Sequence, residues 1–287
     1  MARKTDTDGR HVHAALAAAV ADPGVLERLH RTGEAGSAFD FERIRLFAGL
    51  ALKVRHNDIR MLLPLTFKLL DRLKISVPLF AAYGKFAAAL RLAGRTARSD
   101  KLEVISGFIE DWLRDDDPMH ALVCDALRHE RALLALENDR ADALAVADDD
   151  AAQATLAVTP AAVPRPAAGL VRTEMSCNPL ELADAVSSPK GDLAALRRGQ
   201  FQFVYRWDAL KGCAIAIAID ELGSLLLDLA DGRTSFADLA DMLRRAGLAL
   251  TSAQLCQAGQ QLLDHGLLAV NAPRSLRRAR HAAGSRR

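Results

Sequence analysis

The sequence predicts an α+β protein: an all-helical N-terminal bundle joined by a linker to a small winged-helix-like domain of antiparallel strands plus three helices. Three observations predict it. Up to about residue 140, apolar residues recur at helical spacing between short connections. Residues 141–168 then change in kind, being rich in Ala and carrying Asp148-Asp149-Asp150, Pro160, Pro164 and Pro166. Beyond them, from Phe201 to Ile219, the period drops to two.

In the first half, Asp22-Pro23 and Asp117-Pro118 each pair an N-cap residue with proline at the first helical position. Leu46, Leu50 and Val54 mark the apolar stripe of one amphipathic helix. A second is predicted over Met61 to Leu73, with Pro64 in its opening turn, and a third from Pro78 to Leu92. A fourth opens near Ser99 or Asp100, where Asp100-x-x-Glu103 has capping-box spacing, and the last spans Pro118 to about Glu137. The segment 141–168 carries too few large apolar residues to build a core and is expected to be a semi-extended linker.

In the domain expected over 169–271, Phe201, Phe203, Tyr205 and Trp207 share one parity. So do Ile215, Ile217 and Ile219, with Ala214, Ala216 and Ala218 on the other parity. Ala209-Leu210-Lys211-Gly212 suits the hairpin turn between the two strands. Asp220 caps a helix bearing Leu222, Leu225, Leu226 and Leu229. Thr234 or Ser235 caps a second with Phe236, Leu239, Ala240 and Leu243. Thr251-x-x-Gln254 opens a third with Leu255, Leu262 and Leu263. The aromatic strand is expected to fill a sheet-to-helix interface. Residues 272–287 form a basic tail with Arg277, Arg278, Arg280, Arg286 and Arg287.

Composition excludes several classes of function. A net charge of +2 exerts no global pull on nucleic acid or membrane. The Ala-rich start is too short and too weakly apolar for a signal sequence or a span, so a cytoplasmic protein is expected. Cys124, Cys177, Cys213 and Cys256 lack metal-ligand spacing and read as thiols, with Cys177 and Cys213 candidates for proximity in the second domain. His129-Glu130 lacks the second histidine of a zincin helix, so His120, His129 and Glu130 are read as surface or interface side chains. His11-x-His13 sits near the terminus, and Asp148 to Asp150 lacks the glycine and closing glutamate of a calcium loop. Glu110-Asp111 and Asp115-Asp116-Asp117 fit helix ends, and no nucleophile elbow, phosphate loop or dinucleotide fingerprint occurs. An enzyme active site in this chain is not expected.

Ile219 to Leu243 combine an apolar strand, acidic-x-x-Gly-x-x-Leu-Leu-x-Leu-x-Asp-Gly and Thr/Ser-x-x-x-Leu-Ala-x-x-Leu, a pattern similar to PqqD-like precursor-peptide recognition elements. Leu122 to Glu137 and Leu170 to Val186 resemble segments of the MbnC and TglI type of partner subunit, which accompanies multinuclear non-haem iron enzymes making peptide natural products. That resemblance implies a non-catalytic accessory subunit whose first domain docks on the enzyme. The second would hold a ribosomally made precursor peptide and present its cysteine, the iron residing in the partner and no cofactor in this chain. In the family the leader docks beside the last strand and against the third helix. Carried onto this chain, the groove would use Cys213, Ile215, Ile217 and Ile219 with Gln254, Leu255, Ala258 and Leu262. The alternative is a DNA-binding winged-helix regulator using the basic tail and Arg244-Arg245. Against it, the helix from Gln254 to His265 carries almost no Arg or Lys, so nucleic acid is the weaker expectation.

Overall fold

The computed structural model describes residues 14–20, 23–32, 40–92, 101–113, 116–139 and 157–271. Expectations for His11, His13, Asp22, Ser99, Asp100, Asp115, Asp148 to Asp150 and the basic tail lie outside the described residues. The elements are α1 (14–20), α2 (Pro23–Thr32), α3 (Phe41–Arg55), α4 (Asn57–Leu62), α5 (Pro64–Arg72), α6 (Ser76–Leu92), α7 (Lys101–Trp112) and α8 (Pro118–Asn138). After them come β1 (Val163–Pro166), β2 (Val171–Met175), α9 (Pro179–Ser187), β3 (Phe201–Asp208) and β4 (Cys213–Ile219). The chain closes with α10 (Glu221–Leu229), α11 (Phe236–Arg245), α12 (Ser252–Asp264) and β5 (Leu268–Asn271). The protein is α+β.

The chain divides into two compact units at places other than 140 and 169. The first comprises Met1–Glu130 and Pro179–Leu196, the second Arg131–Asn178 and Arg197–Arg287. The boundary therefore falls inside α8, and α9 belongs with the helices although it lies between two strands in sequence. Arg72 at the end of α5 donates to the carbonyl of Ala185 (2.7 Å), which the C-terminus of α9 leaves over, and to those of Ser188 and Gly191 in the turn that follows.

Three helical expectations change in the first unit. The single helix over Met61 to Leu73 is two, α4 and α5, broken at Leu63. Pro64 stands at the first position of α5, where its missing N–H costs nothing. Leu63 offers α5 no side-chain cap. The carboxylate of Glu130, remote in sequence, fills that role: it accepts from the N–H of Leu65 (2.5 Å), the N–H of Thr66 (2.9 Å) and the Thr66 hydroxyl (2.7 Å). Glu130 and His129 are thus buried rather than surface side chains. Burial pushes the Glu130 carboxyl up and depresses the His129 imidazole to about 4.

The stripe of α3 is reversed as well. Ala48, Gly49 and Leu52 face inward, while Leu46, Phe47, Leu50 and Val54 are exposed. A Cβ on Gly49 would lie 2.6 Å from the Val77 carbonyl oxygen and 3.0 Å from the Ala81 amide of α6. Two helix backbones this close admit only a hydrogen, so the glycine side packs and the leucine side is left outside. The core beneath is aromatic, with Phe67 stacked on Phe80 at a centroid distance of 5.7 Å and Tyr83 against Phe108 at 5.3 Å.

In the second unit, β2, β3 and β4 form an antiparallel meander, β3 in the centre. Tyr205 stands opposite Val171 on one side and Ala216 on the other. The alternation expected for Phe203, Tyr205 and Trp207 holds, and these three are buried. Phe203 and Tyr205 share a cluster with Met175, and the helix covering them is the C-terminal end of α8, through Ala132 and Leu136. The opposite face, carrying Val204, meets α10, α11 and α12 in the main core.

The expected linker is corrected at its C-terminal end. Val163–Pro166 is a strand, β1, paired antiparallel with β5, and Ala162 is in the core. Proline is compatible because β1 is an edge strand. Its outer side is satisfied by the segment that leads into α11: the carbonyl of Pro164 accepts from Gly232 N–H (2.9 Å) and that of Ala162, just before the strand, from Phe236 N–H (3.1 Å). Among the described residues, no helix is long and apolar enough to cross a membrane.

Candidate functional site

The β3–β4 hairpin is built by its turn. The Asp208 carboxylate accepts from the N–H groups of Leu210 (3.0 Å) and Lys211 (3.2 Å), and Gly212 adopts φ 65°, which its missing Cβ permits. The register then runs without a bulge from Asp208↔Cys213 to Gln202↔Ile219. Asp220 ends the strand by accepting from Gly223 N–H (2.7 Å), so β4 leads directly into α10.

β4 is a sheet edge. Among the described residues it pairs with β3 alone, so its outer row of backbone N–H and C=O groups faces away from the ladder. All seven side chains are uncharged and apolar, yet none is buried: Cys213 and Ala218 are exposed and the rest half-buried. Ile217 and Ile219 lean on the main core, whereas Ala214 and Ala216 lie on the face shared with Tyr205, Phe203 and α8. One side of the edge is thus lined by β-branched bulk and the other by methyl groups beside large buried rings.

The residues expected to line a groove divide accordingly. Ile217, Ile219, Leu255, Ala258 and Leu262 do come together around one cluster. Leu255, Ala258 and Leu262 are themselves buried, however, at 1%, 8% and 4% exposure, and serve the core rather than a groove wall. Their spacing turns them toward α10, with a Leu262 methyl 3.6 Å from the Cβ position of Gly223. Gln254 is exposed, but its side chain is committed to the capping box: it accepts from Thr251 N–H (3.0 Å), and Thr251 Oγ1 accepts from Gln254 N–H (3.3 Å). Ile215 belongs to neither cluster, and Cys213 begins the strand at the turn. Cys177 and Cys213 stand toward opposite ends of the meander. Met175 pairs with Phe201 and Cys213 with Asp208, seven residues along β3, roughly 23 Å at the rise of a strand. All four cysteines are thiols.

A second surface contains the apolar stripe that the helical period of α3 predicts to face a core. Leu46, Phe47, Leu50 and Val54 form one apolar stripe on α3, and Met61 and Leu62 of α4 are exposed too. The signal for it was Ala48-Gly49 beside Leu52, a small-residue face suited to close helix contact. Among the described residues, no group of three or more His, Cys, Asp or Glu side chains could hold a metal ion. No protein-family model matches the chain, and no curated protein matches it.

Proposed function

We propose that the chain is a non-catalytic accessory subunit that binds a ribosomally made precursor peptide and presents its cysteine to a separate iron-dependent oxidative enzyme in peptide natural-product biosynthesis. One observation carries this reading: the apolar outer edge of β4, paired on one side only. An extended peptide adds there as a further strand. Its backbone supplies hydrogen bonds, and its alternate side chains meet the isoleucine face or the alanine face. The buried face of α12 gives the strand a firm base, and the lining of the site is β4 itself. The exposed stripe on α3 and α4 supports the second half of the reading, since an apolar patch of this kind suits a protein partner. Holding peptide and enzyme on one chain makes their encounter intramolecular and raises the effective concentration of the cysteine.

The test is co-expression with the products of neighbouring genes, followed by pull-down, metal analysis and hydrogen exchange. An iron protein should co-purify, and the neighbouring precursor peptide should slow exchange at Cys213 to Ile219. Peptide binding that leaves these amides unchanged, or catalysis by the purified chain alone, would refute the proposal.

A further inference from the structure

The sequence of β4 has a symmetry that peptide docking does not require. Around Ala216 it reads Ala-Ile-Ala-Ile-Ala from Ala214 to Ala218, the same in both directions. If two such strands run antiparallel about a two-fold axis through Ala216, each residue meets its own kind. Ala216 faces Ala216, Ile215 faces Ile217 and Ala214 faces Ala218, because directly opposed positions sum to a constant. Isoleucine then stays with isoleucine on the core face, and alanine with alanine on the face of Tyr205 and Phe203. A shift by one residue would set isoleucine against alanine throughout, so the pattern excludes odd shifts, and of the even registers the one about Ala216 is the one that pairs all seven residues of β4.

The edge also lacks the devices by which sheets discourage such pairing. It has no charged residue, no proline and no bulge, and it is seven residues long, enough for a stable ladder. Elsewhere the same unit does use such a device: β1 carries two prolines, Gly232 N–H occupies the outer carbonyl of Pro164, and Phe236 N–H that of Ala162 just before the strand.

We infer that, without a peptide, the β4 edge is closed by a second copy of this chain, giving a two-fold homodimer with a continuous six-stranded sheet β2-β3-β4-β4-β3-β2. The interface is isologous, so it closes on itself and does not grow into fibres. Self-pairing rests on the symmetry of β4 and stands apart from the peptide reading; where both hold, peptide and second copy compete for one edge.

Sedimentation of the full chain from about 1 to about 200 µM tests this, because weak isologous pairs dissociate within that range. A monomer–dimer equilibrium is expected. Ala218→Lys places a cation on an exposed site of the edge and should weaken dimerisation about tenfold or more, the natural effect of lysine on an open strand. Its circular dichroism and Trp207 emission should match the parent protein. Register is read by cross-linking in a Cys213→Ser background. Ala216→Cys should form a disulfide between copies under mild oxidation, since opposed Cβ atoms lie about 5 Å apart. Ala218→Cys should not, because the two copies of that residue are about four residues apart along the ladder. A monomer throughout overturns the inference. So does a dimer that survives Ala218→Lys, or one that cross-links at Ala218 and not at Ala216.

Discussion

The helical unit and the sheet unit solve different problems of backbone satisfaction. Among the described residues, the buried polar side chains Thr66, Ser76, Ser106, Asp125, His129 and Glu130 all lie in the helical unit, and Asp208 in the hairpin turn is the counterpart in the sheet unit. Helix ends leave N–H and C=O groups without partners, and a bundle of short helices has many ends. Glu130 serves the start of α5 and Arg72 the end of α9, each from far away in sequence. In the sheet unit, Asp220, Ser235 and Thr251 cap α10, α11 and α12 from the adjacent position, the remote acceptors at the start of α11 are the backbone carbonyls of Ala162 and Pro160, and the main core is apolar. Remote ties made by a buried ionisable side chain therefore make the first unit sensitive to pH and to single polar deletions, while local caps and uncharged remote ties leave the second to depend on packing.

The sharpest way to break that contrast is Glu130→Leu. It removes the acceptor of the part-buried Leu65 N–H and of the buried Thr66 N–H and hydroxyl, and should cost the helical unit about 3–5 kcal/mol. The chain has two tryptophans, Trp112 in the helical unit and Trp207 in the sheet unit, so urea unfolding can be followed in each. The loss should show in the Trp112 signal; an equal loss at Trp207 would erase the distinction.

His129 comes next. Its folded value near 4 lies below the ordinary 6.5, so unfolding takes up a proton between those limits. Stability from this group is present above pH 6.5 and lost as pH falls toward 4, by about 3 kcal/mol at the limit. The raised Glu130 works with the opposite sign, its contribution falling as pH rises above 4.5. His129→Gln isolates the histidine: stability of variant minus parent should rise by about 3 kcal/mol from pH 7 to pH 4. A constant difference would show that the imidazole takes its proton while folded.

Packing is the corresponding weakness of the sheet unit. A Cβ on Gly259 of α12 would stand 2.5 Å from Cζ of Phe236, a ring with no exposure and no room to move. Gly259→Ala should cost about 2 kcal/mol in the Trp207 transition, with no dependence on pH between 4 and 7. The smallest effect belongs to Phe47→Ser, at a site 58% exposed. It should change stability by less than about 0.5 kcal/mol while reducing recovery of the partner enzyme in the pull-down. Undiminished recovery would remove the α3 stripe from the docking surface.

Much of the second unit was legible because its signals are local. Strand alternation from Phe201 to Ile219, the hairpin turn at Asp208 to Gly212 and the caps at Asp220, Ser235 and Thr251 each depend on residues within a few positions. The candidate edge was half legible. Parity separates the isoleucine side of β4 from the alanine side, but it could not show that Leu255, Ala258 and Leu262 are wholly consumed by the core. Nor did it reveal that the C-terminal end of α8 covers the aromatic face of β3.

The sequence by itself determined the periods, the turns and the local caps, since these follow from side-chain spacing and from hydrogen bonds closed within one turn. Only the tertiary structure decided which face of α3 is buried, because that depended on Gly49 meeting the backbone of α6. It likewise decided that Glu130 completes α5, that Pro164 and Pro166 lie in a strand, and that β4 is left at an edge. Each depends on a partner brought near only by folding, and spacing along one chain carries no record of which distant segment arrives.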